Sequence, residues 1–205
     1  MSHGRTLESY IEAVASAAPA PGGGSVAGVV GALAAALGQM VLNLTAVPDD
    51  PAAGVRHHDL LSALQVGQAR LLQGAAADET AYQRYRDAAA LPRDTPAAKS
   101  ARKEAMQAAL LAATEAPLAM AQEAAYLAAL LVEVAQWGNR RLASDTALGA
   151  LLAETTLRGA LLNVRGNAAL LKDADAAQRY RDAADRLETE GRQAVATALE
   201  LASTR

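Results

Sequence analysis

Apolar residues along this chain recur mostly every three or four positions, which is the spacing of amphipathic and buried α-helices. Strict alternation of apolar and polar residues is scarce and β-branched residues are few, so the pattern predicts no strand. We therefore expect an all-α bundle of six or seven helices, several of them long. The predicted helices cover residues 7–17, 25–44, 55–90, 96–137, 145–171 and 174–202.

Capping and helix-breaking residues support these limits. Thr6 can accept a hydrogen bond at the N-terminus of the first helix. Thr95 followed by Pro96 fits an N-cap with proline at the first helical position. Pro117 predicts a kink or an interruption within the fourth helix.

The second predicted helix is apolar nearly all round, which predicts burial on every side. The third would be roughly 50 Å long at about 1.5 Å per residue, which is long for one small domain. From these two helices we infer a homodimer that associates through helices. Small residues at spacings of three or four positions would let a neighbouring helix approach the second helix closely, namely Gly24, Gly28, Gly31, Ala35 and Gly38.

The composition fits one soluble domain over residues 1–205. Hydrophobic residues make up 52% of the chain but aromatic residues only 3%, and Phe is absent, so the core must consist of Ala, Leu and Val. The net charge of −3 argues against general nucleic-acid binding, which usually needs a basic surface. The apolar runs are too short and too rich in Ala and Gly for a membrane span, and no signal region begins the chain. A cytoplasmic protein is therefore expected.

The sequence offers few ligands for a metal ion. The chain has no cysteine, which excludes disulfides and thiolate sites. The imidazoles belong to His3, His57 and His58, and two adjacent histidines on a helix point in different directions. We therefore expect no catalytic metal.

The most informative segment is Pro21-Gly22-Gly23-Gly24-Ser25, directly before the apolar second helix. Consecutive glycines can turn sharply and bring the backbone close to a ligand. A helix that starts at Ser25 or at the next residue leaves N–H groups unpaired in its first turn, where the helix dipole adds partial positive charge. The segment is either a seat for an anion or a flexible entry to a buried helix. It is not a nucleotide P-loop, because no Lys-Ser or Lys-Thr follows.

Two polar pairs within apolar sequence each have two interpretations. Asp78 and Glu79 follow three alanines. A buried carboxylate there would have a raised pKa and exchange protons near neutral pH, whereas an exposed pair would lie on the solvent side of a long helix. Asn163 and Asn167 share one helical face. They either hydrogen-bond a neighbouring helix or read the amide edges of a heterocycle.

Two further polar sets are explained by helix capping. Gly138-Asn139 is typical of a left-handed helix end, and Ser144 or Asp145 then begins the next helix. Lys172-Asp173 marks a junction between helices, where a cap and a solvated lysine are sufficient.

Several short motifs follow one another from residue 7 to about residue 180. They are Pro21-Gly22-Gly23-Gly24-Ser25-Val26-Ala27, Met40-Val41, Leu44-Thr45, Asp78 with Ala81-Tyr82, Leu91-Pro92-Arg93, Ala116-Pro117-Leu118, Gly138-Asn139, Ser144-Asp145, Arg158-Gly159-Ala160, Asn163-Val164, Asn167 and Lys172-Asp173. In this order and approximate spacing, they resemble the formiminotetrahydrofolate cyclodeaminase and methenyltetrahydrofolate cyclohydrolase family. That family includes the cyclodeaminase domain of formiminotransferase-cyclodeaminase.

The resemblance implies an all-α dimeric fold that acts on a reduced folate without a metal or redox cofactor. A cyclodeaminase closes 5-formimino-tetrahydrofolate to the 5,10-methenyl form and releases ammonia. A cyclohydrolase adds water to the methenyl bridge and gives 10-formyl-tetrahydrofolate. Asp78 stands at the position of the family's catalytic acid, so the resemblance implies a general acid or base there.

The resemblance also implies substrate contacts. Pro21 and Gly22–Ser25 would form a wall of the pocket and offer backbone donors. Arg158 or Arg165 would meet the glutamate tail of the folate, because a guanidinium suits a carboxylate. The candidates for contacts with the pterin or the one-carbon bridge are Asn139, Asp145, Asn163 and Asn167.

The chain departs from the family pattern at residues 46–51, which are acidic and contain prolines where the family carries a basic pair. Asp78 is also followed by Glu79-Thr80 instead of Ala-Glu, and Gly166 replaces a larger apolar residue. The lost basic pair favours a second interpretation, a non-catalytic helical protein that binds a folate or a partner protein. The retained Asp78, Asn139, Asp145 and Asn163 favour the enzyme.

Overall fold

The computed structural model describes residues 6–47 and 49–204 and is 86% helical. This part of the chain contains no strand, so the predicted all-α fold is confirmed. His3, considered above as a metal ligand, lies outside the described residues. The described helices are α1 (Leu7–Ala15), α2 (Gly23–Asn43), α3 (Pro51–Ala89), α4 (Pro96–Trp137), α5 (Ala143–Ala168) and α6 (Ala174–Ser203), with a short 3-10 turn at Arg140–Leu142 before α5.

Four of the helices form a closed ring around the core. Helix α2 packs between α3 and α5, and α4 packs against the same two helices from the opposite side. Helix α6 covers the outer side of α4 and α5. The core consists mainly of leucine, alanine and valine, as the composition predicts; its largest fully buried side chains include Leu64, Leu71, Leu131, Leu157 and Leu161.

Small residues bring α2 into near-backbone contact with its neighbours. A Cβ atom built on Gly28 would lie 2.7 Å from the carbonyl oxygen of Leu71 and 2.9 Å from the Cβ of Ala75, both on α3. On the other side, the hydroxyl of Thr156 on α5 donates to the carbonyl of Ala27 at 3.1 Å. The predicted close approach of helices to α2 is therefore confirmed.

Helix starts at Thr6, Thr95 and Asp173 are capped by their side chains, which accept hydrogen bonds from backbone N–H groups three residues later. Helix α4 runs on through Pro117 without the predicted interruption. Proline lacks the backbone N–H group that would donate within the helix. Helix α4 tolerates this loss at Pro117, which is buried.

Three predictions about helix ends are wrong. Helix α2 begins at Gly23, so two of the three glycines belong to its first turn and only Gly22 precedes it. Gly138 has φ −70° and ψ 168°, which is an extended and not a left-handed conformation. Its N–H group donates to the carbonyl of Val134, as in the preceding turn of the helix. Helix α5 begins at Ala143 without a side-chain cap, so Asp145 lies inside its first turn.

Helix α2 is not buried on every side. It carries no charged residue, yet Leu33 is 54% exposed. Ala34 lies beside Gly149 of α5, so Leu33 is level with the exposed Leu148 and Leu151 of that helix. We call the surface that includes Leu33, Leu148 and Leu151 the α2/α5 face.

Helices α2 and α4 are each long and apolar enough to cross a membrane on length and composition alone. The expectation that the apolar runs are too short is wrong on that count. Within the fold, 61% of the apolar window of α2 and 50% of that of α4 are buried. Core helices of soluble proteins have the same character, so these two helices are weak evidence for a membrane span.

The end of the bundle opposite the glycines carries the protein's one tryptophan. Trp137 is the last residue of α4 and is 60% exposed. The guanidinium of Arg56 lies 5.8 Å from the centroid of its ring, within the range of a cation–π interaction. Arg56 also donates to Glu133 at 2.8 Å, which ties α3 to α4 at this end.

Gly28→Ala tests the close packing of α2. We expect the free energy of unfolding to fall by about 1–3 kcal/mol, because the added methyl group meets backbone that must move. Gly166→Ala on α5 is the matched control. A Cβ there meets nothing within 4 Å, so helix propensity should raise stability by up to about 1 kcal/mol. Urea unfolding measures both, and equal stabilities would contradict the packing.

Candidate functional site

A cavity of about 370 Å³ lies at the start of α2. Its wall includes the glycines Gly22–Gly24, the carboxylates of α3, and residues of α4 and α5. A volume of this order suits a small organic ligand. The structure thus brings together three groups that are distant in sequence, namely Asp78, the glycine segment and the asparagines Asn163 and Asn167.

The carboxyl group of Asp78 packs directly on Gly24. A Cβ atom at residue 24 would overlap all three atoms of that carboxyl group, so only glycine allows this approach. The backbone N–H of Ser25, in the first turn of α2, donates to Asp78. The predicted anion seat at this helix start is therefore occupied by the protein's own carboxylate.

The environment of Asp78 raises its pKa above the ordinary value of 3.8. Burial is the main cause, since it disfavours the charged form. The hydrogen bond from the Ser25 amide opposes this effect, and the nearby charge of Glu79 adds to it. Asp78 and Glu79 are both partly buried, so the alternative of a solvated surface pair is wrong.

Glu79 accepts a hydrogen bond from the side chain of the same serine. The Ser25 hydroxyl, which is fully buried, donates to Glu79 at 2.8 Å. The hydroxyl of Tyr10 on α1 lies 3.0 Å from the Ser25 oxygen. Tyr10 is the buried residue of α1, whose Leu7 and Ile11 are exposed. This contact therefore attaches the first helix to the site.

The predicted hydrogen bond to a neighbouring helix is present for Asn167 only, and a contact of either asparagine with a heterocycle stays a prediction. The amide nitrogen of Asn167 donates to the carbonyl of Ala113 on α4 at 3.0 Å, and that of Asn163 donates to Gly159 at 3.1 Å. Both residues also line the cavity. With these N–H groups engaged, the amide carbonyl oxygens are the acceptors left to face a ligand.

Similarity to known proteins assigns the chain to a family. The model of the formiminotransferase-cyclodeaminase family matches residues 6–186. The chain belongs to this family. A methenyltetrahydrofolate cyclohydrolase from Methylorubrum extorquens is 38% identical in an alignment over 181 residues that covers 84% of this chain and 84% of that protein.

Longer and more distant relatives agree with the assignment. The formimidoyltransferase-cyclodeaminase of Sus scrofa is 36% identical over 82% of this chain, but the match spans only 31% of that protein. A crystal structure of formiminotetrahydrofolate cyclodeaminase from Thermotoga maritima has a TM-score of 0.87 at 24% identity. The structural match covers 98% of this chain and 96% of the Thermotoga maritima chain, which shows that the two share a fold.

This member of the cyclodeaminase family has aromatic cavity residues that the sequence reasoning missed. Tyr82 and Tyr85 line the cavity, with Leu110 of α4 on the apolar side. They follow Asp78 by four and seven positions on one helix, so all three share a face. This spacing was the signal that could have found them.

Asn139 lies at the opposite end of this family fold from the cavity. Its amide donates to the carbonyl of Leu44 at 2.9 Å and its backbone N–H donates to Thr45 at 2.9 Å. These partners follow the C-terminus of α2, whereas the cavity lies at its N-terminus. The 21 residues of α2 separate the two ends by about 30 Å. Within one subunit, Asn139 therefore holds the helix end and does not reach the cavity.

The two candidate arginines and Asp145 also lie outside the cavity of their own subunit. Arg165 donates to Asp185 and Glu188 of α6, each at 2.7 Å, and these two bonds raise the pKa of its guanidinium. Arg158 is exposed and lies 3.7 Å from Glu154 on the same helix. The described residues 6–47 and 49–204 include no cluster of three or more His, Asp or Glu side chains able to hold a metal ion.

Asp78→Asn tests whether the charged form of Asp78 lowers the stability of the fold. Because the pKa of Asp78 in the fold lies above 3.8, its ionisation weakens the fold as the pH rises through that pKa. We therefore expect the variant to melt at a higher temperature than the native chain at pH 7, and the gain to disappear below pH 3.8.

Thermal unfolding at several pH values measures this difference. Asp87→Asn is the matched control, since Asp87 is an exposed aspartate on the same helix. It should change the melting temperature little at any pH. A lower melting temperature for Asp78→Asn at pH 7 would show that the charged carboxyl stabilises the fold.

Proposed function

We propose that this chain is an enzyme of one-carbon metabolism that opens the methenyl bridge of 5,10-methenyl-tetrahydrofolate with water. The observation that carries the proposal is Asp78, a carboxyl with raised pKa at the wall of a ligand-sized cavity in a member of this family. The cyclohydrolase of similar length, matched over 84% of both chains, supports this reaction in particular.

Asp78 supplies the proton transfers in the proposed reaction. It accepts a proton from water as the water oxygen bonds to the bridge carbon. It returns that proton to N5 as the bond between carbon and N5 breaks, and the remaining hydroxyl proton leaves to solvent. The product is 10-formyl-tetrahydrofolate. A group that both accepts and donates in one turnover works best with a pKa near the working pH, which burial of Asp78 favours.

A second candidate reaction uses the same carbon and the same acid. In a cyclodeaminase, N10 attacks the carbon of the protonated formimino group, and Asp78 accepts the proton that N10 loses. Asp78 then returns this proton to the amine, which leaves as ammonia. The match to the formimidoyltransferase-cyclodeaminase of Sus scrofa favours this candidate. The formimidoyltransferase activity in that name belongs to a protein of which this chain spans 31%, and we do not extend it to this chain.

The cavity suggests how a folate would be seated. The carbonyl oxygens of Asn163 and Asn167 suit the N–H donors of a pterin, and Tyr82 offers a ring for stacking. Gly22–Gly24 would form the wall beside the reacting carbon. Neither Arg158 nor Arg165 lines the cavity of its own subunit, so a role in holding the glutamate tail stays a prediction.

We further propose that the chain is a cytoplasmic homodimer joined through the α2/α5 face. Leu33, Leu148 and Leu151 are 54%, 48% and 45% exposed, and no charge lies on the α2 side of this surface. An apolar surface of this kind is typical of a subunit interface. A contact of Asn139, Asp145 or Arg158 with folate would then require the site of the second subunit. The net charge of −3 argues against nucleic-acid binding.

Asp78→Asn is the test of the proposed reaction. We expect turnover of 5,10-methenyl-tetrahydrofolate to fall by roughly 10²-fold or more, because the amide cannot carry the proton. The loss of methenyl absorbance, corrected for the reaction in buffer, measures the rate. Asp87→Asn should keep full activity.

The same assay separates the competing interpretations. Formation of the methenyl band from 5-formimino-tetrahydrofolate, without faster hydrolysis, favours the cyclodeaminase. Folate binding with neither reaction supports the non-catalytic protein. Full activity in Asp78→Asn removes Asp78 from the mechanism.

Leu33→Glu and Leu151→Glu test the dimer. Each places a charge in the proposed interface and should convert the dimer to a monomer, as measured by size-exclusion chromatography with light scattering. Val66→Glu is the control, because Val66 is 46% exposed on α3, away from this face. A dimer that survives both leucine substitutions must use another surface.

A further inference from the structure

The cavity is polar at one end and apolar at the other. Asp78 and Asn167 lie at the polar end, where Asn167 donates to the carbonyl of Ala113 on α4 at 3.0 Å. Leu110, one turn earlier on α4, and Leu170, just past the end of α5, belong to the apolar end. Leu170 is 62% exposed, so the cavity opens to solvent beside it.

Gln107 of α4 holds the segment that follows Leu170. Its side-chain nitrogen donates to the carbonyl of Leu170 at 3.2 Å, and its side-chain oxygen accepts from the backbone N–H of Lys172 at 2.7 Å. Lys103 lies one turn before Gln107 on the same face of α4. Two lysines therefore lie just beyond the open end of the cavity. We call Lys103 and Lys172 the lysine rim.

Lysine is concentrated at this end of the molecule. The chain has three lysines, and the third, Lys99, lies one turn before Lys103. All three are exposed, and no ion pair within residues 6–47 and 49–204 involves a lysine. Glu104 and Asp173, the acidic neighbours in sequence, accept hydrogen bonds from their own helices. The lysine rim can therefore bind an anion from solution.

The order of these surfaces matches the order of groups in a folate. The pterin carries polar ring and amide groups, a p-aminobenzoyl ring follows the one-carbon bridge, and the carboxylates of glutamate end the molecule. Lys103 lies about 15 Å along α4 from Ala113 at the polar end, which leaves room for the benzoyl ring and its amide beside Leu110 and Leu170.

We propose that the lysine rim binds the glutamate carboxylates of a folate whose one-carbon group lies at Asp78. The apolar end of the cavity then covers the benzoyl ring between these two sites. Lysine ammonium groups attract carboxylates without fixing one geometry, which suits a flexible tail at an exposed position. This inference rests on the proposed function, since it places a folate in the cavity.

The test compares a folate that has a charged tail with one that has a neutral tail. 5-Formyl-tetrahydrofolate and its glutamate dimethyl ester share the pterin and the benzoyl ring, and isothermal titration calorimetry measures both dissociation constants. Lys103→Gln and Lys172→Gln each remove one positive charge. The double variant with arginine at both positions keeps the two charges. Arg192→Gln, at an exposed position of α6, removes a positive charge elsewhere.

Each glutamine variant should weaken binding of 5-formyl-tetrahydrofolate by about threefold, as for an exposed ion pair, and the double glutamine variant by about tenfold. Binding of the dimethyl ester should change by less than about twofold in every variant. Salt at about 0.5 M should remove most of the difference between the native chain and the double glutamine variant, because exposed charges are screened. The double arginine variant and Arg192→Gln should bind both ligands as the native chain does.

Equal losses for the acid and the ester, or no loss for either, would overturn the inference. A loss in Arg158→Gln or Arg165→Gln that the lysine variants do not show would place the tail elsewhere and overturn it as well. The proposed function fails separately, if the native chain binds 5-formyl-tetrahydrofolate but converts neither the methenyl nor the formimino compound. If neither the acid nor the ester binds, both proposals fall.

Discussion

The contact between the Asp78 carboxyl group and Gly24 is the constraint on which the site depends. A Cβ atom at residue 24 would lie 2.3–2.5 Å from the three atoms of that carboxyl group, so the carboxyl group can occupy this place only beside a glycine. The same approach removes water from the carboxyl and raises its pKa. Packing and acidity therefore have one cause, and the residue that permits both is a glycine.

This arrangement extends along the helix. Gly28 and Gly31 continue the close approach towards α3 and α5, where a Cβ would meet Leu71 or Thr156 at 3.0 Å or less. The helix that carries the site wall is thus also packed closely against its neighbours in the core. A rigid wall limits how far Asp78 and Ser25 can shift relative to each other, which is what a proton-transferring group requires.

The sequence was sufficient for the helices, because spacing and caps are local signals, and the family resemblance assigned both Asp78 and the glycines to the substrate pocket. It was not sufficient for Asn139 or Arg165. Amide and guanidinium groups suit either a ligand or a neighbouring helix, and only the fold shows that Asn139 holds the end of α2 and that Arg165 holds α6. The anion at the start of α2 was predicted as a ligand, but a carboxylate distant in sequence reaches the same place.

The position of Trp137 decides what optical signals the protein can give. It lies with Leu42 and Thr45 at the far end of α2, about 30 Å from the glycines. Its ring is exposed beneath Arg56, so its emission reports on that end of the molecule, including the residues that follow α2. A ligand in the cavity of the same chain would not contact this indole. An intrinsic reporter of ligand would have to come from the tyrosines of α3.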